Sequence, residues 1–66
     1  MVKEIVLILL LVNGELSLPS FPFEGTVMEC FEHGDKMRVE LATYNNEQNA
    51  WFLNDGSGTW QGFICE

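Results

Sequence analysis

The sequence has very few basic residues. Three lysines and arginines stand against ten aspartates and glutamates, and the net charge is -7. A nucleic-acid backbone or an anionic membrane surface would repel such a chain, because both carry dense negative charge. We therefore expect no direct binding to nucleic acid, whereas a protein partner with a basic surface is compatible. The acidic surplus also favours solubility, which requires no partner at all.

The chain also has little that supports catalysis or metal binding. His33 is the only histidine, and although Glu29 precedes it by about one helical turn, no further ligand is spaced to join the two. No serine or cysteine has a histidine base at a recognisable spacing. The glycine-rich segment Asn54–Thr59 lacks the final glutamate of a calcium loop and the lysine of a phosphate loop. We therefore expect no enzymatic activity, no cofactor and no metal.

Only two cysteines are present, Cys30 and Cys65. If they were bonded to each other, they would close a loop of about 35 residues and stabilise the fold by ~4 kcal/mol in the chain-entropy model. A chain of 66 residues is marginally stable on its own and would benefit from such a cross-link. Two reduced thiols are equally ordinary in a cytosolic protein. The sequence favours proximity of the two cysteines in the fold and leaves their redox state open.

The sequence contains only one long apolar run, Ile5–Val12. It is too short to cross a bilayer as a helix, which takes about 20 residues, so we predict no membrane span. With Lys3 before it, the run has the length of the apolar core of a signal peptide, which would be cleaved near Gly14. The other interpretation is a buried strand.

The residues after the run favour the strand. Asn13-Gly14 is typical of a two-residue type I′ turn, because both central residues of that turn need positive φ. Glu15–Leu18 then alternates between polar and apolar residues. We therefore predict a hairpin of Glu4–Val12 and Glu15–Leu18. Pro19 and Pro22 end it, because proline fits neither a helix interior nor a central strand.

A single helix is predicted in the middle of the chain. Thr26 and Glu29 fit a capping box, which starts the helix at Val27, and the pattern continues to about Tyr44. Gly34 lies near the centre of the apolar stripe, where the absence of a side chain predicts a close approach to the sheet. The opposite face of the predicted helix is charged and carries Glu29, Glu32, Lys36 and Glu40.

The last third predicts a second hairpin. Ala50–Leu53 and Thr59–Cys65 are strand-like and are separated by residues typical of turns. The element order is therefore β-β-α-β-β. We predict a small α+β protein, with residues 1–66 as a single domain, in which one helix packs on one face of an antiparallel sheet.

One helix leaves one face of such a sheet uncovered. If Cys65 faces the helix to meet Cys30, strict alternation places Trp60 and Ile64 on the uncovered face. Alternate residues of Ile5–Val12 would join them there. Contiguous exposed apolar surface of this size usually marks an interface, and we predict a homodimer.

Four short features also carry a resemblance: the apolar opening strand that ends in Asn13-Gly14, Phe21-Pro22-Phe23, Cys30 just inside the helix, and the terminal Gly62-Phe63-Ile64-Cys65. This pattern resembles small bacteriophage-encoded proteins, especially those of marine phages. The resemblance covers most of the chain. It implies a small protein that binds and modulates a host protein in the host cytoplasm, and it supplies no catalytic residues.

The sequence therefore predicts a small acidic protein-interaction module, homodimeric and cytoplasmic, with a protein partner. The alternative is a secreted or periplasmic structural domain held together by a disulfide between Cys30 and Cys65, and exported after cleavage near Gly14. The predicted interaction surface comprises Trp60, Ile64, Glu29, Glu32 and Glu40.

Overall fold

The protein has two layers, a six-stranded antiparallel sheet and one helix, and the computed structural model describes residues 1–66. The sheet order is β2-β1-β6-β5-β4, and β3 pairs with β1 on the same edge as β2. The predicted α+β class, with one helix and an antiparallel sheet, is confirmed. The elements are β1 (Val2–Leu11), β2 (Leu16–Ser17), β3 (Ser20–Gly25), α1 (Val27–Leu41), β4 (Ala42–Asn45), β5 (Ala50–Leu53) and β6 (Gly58–Cys65).

The central strand is β1. It pairs with β6 along one edge and with β2 and β3 along the other. Ile5 and Leu7 point towards α1 and are only 0% and 2% exposed, so this apolar run forms much of the core. A chain cleaved near Gly14 would lose β1 and with it the middle of the sheet.

The turn after β1 differs from the predicted type I′ turn. Gly14 has a φ of +88°, but Asn13 does not have a positive φ. The amide of Gly14 donates to the carbonyl of Leu11 at 2.9 Å, and the amide of Leu11 donates to the carbonyl of Glu15 at 2.8 Å. Three residues therefore form the loop, which is the arrangement of a type I turn followed by a left-handed glycine. The predicted turn type was wrong, and the pairing of β2 is shifted by one residue.

Two strands are additional to the predicted order, β3 and β4. In β3, Pro22 pairs opposite Glu4 on the edge of the sheet, where a missing amide hydrogen costs little. Before β4, the helix ends at Leu41 rather than near Tyr44, because the cap residue Ala42 is already extended. Residues 42–45 then form ladder hydrogen bonds with β5, and this pairing overrides the helical pattern.

The start of α1 and its approach to the sheet agree with the prediction. The amide of Glu29 donates to Oγ1 of Thr26 at 3.1 Å, and the amide of Thr26 donates to Oε1 of Glu29 at 2.9 Å. A Cβ atom added at Gly34 would lie 2.3 Å from the ring of Phe63. The absence of a side chain at Gly34 therefore lets α1 pack directly on an aromatic ring of β6.

A β-bulge interrupts β6 in the middle of the sheet. Ile8 pairs opposite Gly62, but the next residue, Leu9, pairs opposite Trp60. Gln61 is therefore an extra residue in β6, and the bulge reverses the alternation of the strand. Trp60 faces α1 for this reason.

Candidate interaction surfaces

The face of the sheet that α1 leaves uncovered is the open face, and the opposite one is the helix face. The apolar residues of the open face lie outside the core cluster. In the register of the strands, each of them pairs opposite another apolar residue of this face or opposite a small residue. Leu10, Leu16 and Ile64 are 39%, 65% and 45% exposed, and the others are partly buried by their neighbours. The apolar residues of the open face are Val6, Ile8, Leu10, Leu16, Phe52 and Ile64.

The two residues predicted for this face, Trp60 and Ile64, lie on opposite faces of the sheet in the structure. Ile64 lies on the open face opposite Val6. The prediction for Trp60 was wrong: the tryptophan is 7% exposed, belongs to the core, and its ring centre lies 6.4 Å from that of Phe63. The bulge at Gln61 is the physical reason, because it turns Trp60 from the open face to the helix face.

The open face carries its charge at one end only. The hydroxyl of Ser20 donates to Oε2 of Glu4 at 2.7 Å. This hydrogen bond lowers the pKa of Glu4, and a hydrogen bond with Glu66 lowers it further by a smaller amount. The hydrogen bond between the two carboxyl groups and the negative charge of Glu4 both raise the pKa of Glu66. The apolar centre of the face contains no charged side chain.

The dimensions of the molecule set an upper limit on the area of the open face. The extents are 37 × 22 × 16 Å, so a face cannot exceed 37 by 22 Å, on the order of 800 Å². A standard-size protein interface takes about this area from each partner.

The predicted acidic row on the outer side of α1 is exposed. Glu32 and Glu40 make no hydrogen bond through their carboxylates and no salt bridge, and Lys36 between them is also unpaired. The carboxylate of Glu29 is engaged in the capping box, and its hydrogen bonds with the backbone and hydroxyl of Thr26 lower its pKa. Glu32 and Glu40 are therefore the two carboxylates of this row that remain free to bind a cation.

The only salt bridge joins Arg38 to Asp35 at 3.4 Å. The guanidinium group also lies 4.8 Å from the ring centre of Trp51, where a cation–π interaction stabilises it. Arg38 is thus bound within the protein. No group of three histidine, cysteine, aspartate or glutamate side chains is arranged to hold a metal ion.

The two cysteines are joined by a disulfide bond, with an S–S distance of 2.07 Å, so the predicted proximity is confirmed. The bond connects the beginning of α1 to the end of β6. Cys30 is fully buried, and the chain has no free cysteine. The pair has a structural role in this form of the protein and offers no thiol as a nucleophile.

A concave apolar surface, here named the groove, lies beyond the C-terminal end of α1 on the helix face. It has a volume of about 280 Å³. The sequence does not predict this groove, because its residues come from β1, β3, α1 and the β5–β6 hairpin, and no local pattern connects them. The residues that line the groove are Leu7, Leu9, Pro19, Phe21, Glu40, Leu41, Leu53, Asn54, Asp55 and Ser57.

Comparison of the chain with protein-family models, with curated proteins and with solved structures finds no match. The 15 residues of α1 do not make a helix that is long and apolar enough to cross a membrane. Three surfaces of this chain are candidates for binding: the open face, the acidic row and the groove.

Proposed function

We propose that the protein is a small acidic interaction module that forms a homodimer by pairing the open faces of two copies. The observation that supports this is the apolar centre of the open face, which α1 does not cover. Burial of such surface is favourable by about 25 cal/mol per Å². Because Glu32 and Glu40 lie on the far side of each copy, the pairing keeps the two acidic rows apart despite the net charge of -7.

A second copy fits the open face in chemistry. A two-fold interface places the same surface on both partners, so each apolar face would bury the other. Two sheets packed in this way lie about 10 Å apart. The two helices then point outwards, and the dimer presents two acidic rows to other proteins. Under the resemblance to small phage proteins, the protein bound by these rows belongs to the host.

The dimer is tested by Ile64→Glu, which places a charge within the open face. We expect the wild-type protein to sediment as a dimer at micromolar concentration. The dissociation constant of the variant dimer should be about thirtyfold higher, because its carboxylate would be buried without a partner. This change corresponds to about 2 kcal/mol. Sedimentation equilibrium measures both values.

Val39→Glu is the matched control. It makes the same change of charge at an apolar residue that is 57% exposed on α1, away from the open face, and it should leave the dimer intact. A wild-type protein that is monomeric throughout the micromolar range would contradict the proposal. Equal dissociation of the two variants would attribute the effect to total charge and would also contradict it.

A second candidate function is favoured by the disulfide bond. Disulfides persist mainly in secreted and periplasmic proteins, whereas cytosolic thiols are kept reduced. A structural domain in an oxidising compartment is therefore the alternative to a cytoplasmic module. Such a domain needs β1, so removal of the segment up to Gly14 is incompatible with it.

The thiols of protein from its native source distinguish the two candidates. The protein is treated with an alkylating reagent under denaturing conditions without a reductant, and its mass is measured. The exported domain predicts an unlabelled chain that retains β1. Labelling of both Cys30 and Cys65 would contradict export and would support the cytoplasmic module.

A further inference from the structure

The groove remains accessible in the proposed dimer. Its base is formed by Leu7, Leu9 and Leu53, which belong to the helix face. The open face is on the other side of the same sheet. Binding in the groove and pairing of open faces are therefore independent events.

The groove offers aliphatic and aromatic surface. Leu7 is almost completely buried beneath it, and Leu9 and Leu53 are partly buried. On opposite sides, Phe21 and Leu41 remain 41% and 44% exposed. An apolar chain that lies between these two side chains would remove them from water, which is the main source of affinity at such a site.

The rim of the groove is negative. Glu40 and Asp55 both line it, neither takes part in a salt bridge, and no lysine, arginine or histidine is among the lining residues. Arg38, the nearest basic residue in the sequence, is held by Asp35.

One of the rim carboxylates is fixed in position. Oδ1 of Asp55 accepts hydrogen bonds from the hydroxyl and the amide of Ser57, at 2.7 and 3.0 Å. These bonds lower the pKa of Asp55 and keep it negative. Its other carboxylate oxygen is left for an external donor.

The groove lies at the lower limit of the usual size range for ligand sites. Sites for small molecules and cofactors usually have about 300–1,000 Å³, and the groove has about 280 Å³. This volume accommodates a single long side chain. Lysine and arginine combine an aliphatic stem with a charged head, which matches an apolar base with a negative rim.

We propose that the groove binds a lysine or arginine side chain of a partner protein, with the stem against Leu9 and Leu53 and the charged head at Glu40 and Asp55. This inference rests on the proposed function as a protein-interaction module and assigns the chemistry of its partner. It accounts for a negative rim beside an apolar base, a combination that neither the fold nor the dimer requires.

The test uses the full-length oxidised protein and Nα-acetyl-lysine N-methylamide as the probe, followed by ¹⁵N-¹H NMR. We expect a saturable change of the amide signals of Leu9, Leu53 and Asp55, with a dissociation constant on the order of millimolar. The norleucine analogue, which has an apolar stem and no charge, should bind more weakly. Glu40→Gln should weaken lysine binding about twofold to fivefold, as for a partly exposed ion pair.

Glu47→Gln is the matched control, because it removes the same charge from an exposed residue of the β4–β5 turn that does not line the groove, and it should leave the dissociation constant unchanged. Equal binding of the norleucine analogue, equal effects of the two variants, or the absence of saturable changes at the groove would each overturn the inference. Sedimentation of the same samples reports the dimer separately, so failure of the groove is distinguishable from failure of the open face.

Discussion

Replacement of both cysteines, Cys30→Ala with Cys65→Ala, is expected to lower the free energy of unfolding by about 4 kcal/mol. The disulfide spans 35 positions of the sequence and restricts the unfolded chain over more than half of its length. A domain of 66 residues typically has about 3–10 kcal/mol of stability in total. The variant should therefore lose roughly 40% or more of that stability, and urea denaturation followed by tryptophan fluorescence measures the loss.

The expected loss is large because α1 has few other anchors on the sheet. Only Cys30 and Gly34 are buried within the helix, whereas Val27 and Phe31 are 54% and 50% exposed. The far-ultraviolet circular dichroism of the variant should lose helical signal before the sheet unfolds. Wild-type protein in reductant is the control and should approach the variant. Equal urea midpoints for the oxidised protein and the variant would show that the cross-link does not stabilise the fold.

Gly58→Ala is expected to destabilise the protein by about 3 kcal/mol, at the upper end of the range for overpacked sites. An added Cβ would lie 2.1 Å from the carbonyl oxygen of Leu10 and 2.8 Å from Cα of Leu11. Both are backbone atoms of the central strand, so relief of the clash requires β1 and β6 to separate. Thermal and urea denaturation measure the change.

Gly56→Ala is the matched control in the same hairpin. Gly56 has a φ of +77° and open space around its added Cβ, so alanine there meets backbone strain alone, about 1–2 kcal/mol. Gly58 does not have a positive φ, so alanine there meets the clash alone. A cost for Gly58→Ala that does not exceed that for Gly56→Ala would show that β1 and β6 separate easily at this point.

Features set by neighbouring residues were predictable from the sequence. The capping box of Thr26 and Glu29 depends on residues three positions apart, and the β5–β6 hairpin is marked by its own turn residues. The uninterrupted apolar run also indicated β1 correctly, because a short apolar run that ends in turn residues is typical of a strand. Proximity of the two cysteines was favoured because a chain of this size benefits from a cross-link.

Features set by pairing between distant strands were not predictable. The bulge at Gln61 reflects the fit of β6 to β1, and period-2 alternation contains no sign of it. Residues 42–45 continue the helical pattern but gain more hydrogen bonds as β4 beside β5. The open face was predicted in outline, with Ile64 correctly placed and Trp60 wrongly placed. The groove depends on the positions of all these elements at once.

The pairing of β1 with β6 also determines the order in which the protein can be built. Ile5 pairs with Cys65, so the two strands that form the middle of the sheet come from opposite ends of the described sequence. During synthesis, the most apolar strand must wait for its principal partner until nearly all of these residues have been made. Contacts between such distant residues form slowly, and an unpaired apolar strand is prone to aggregation. The disulfide between Cys30 and Cys65 forms late for the same reason, and it secures the structure once the central pair is in place.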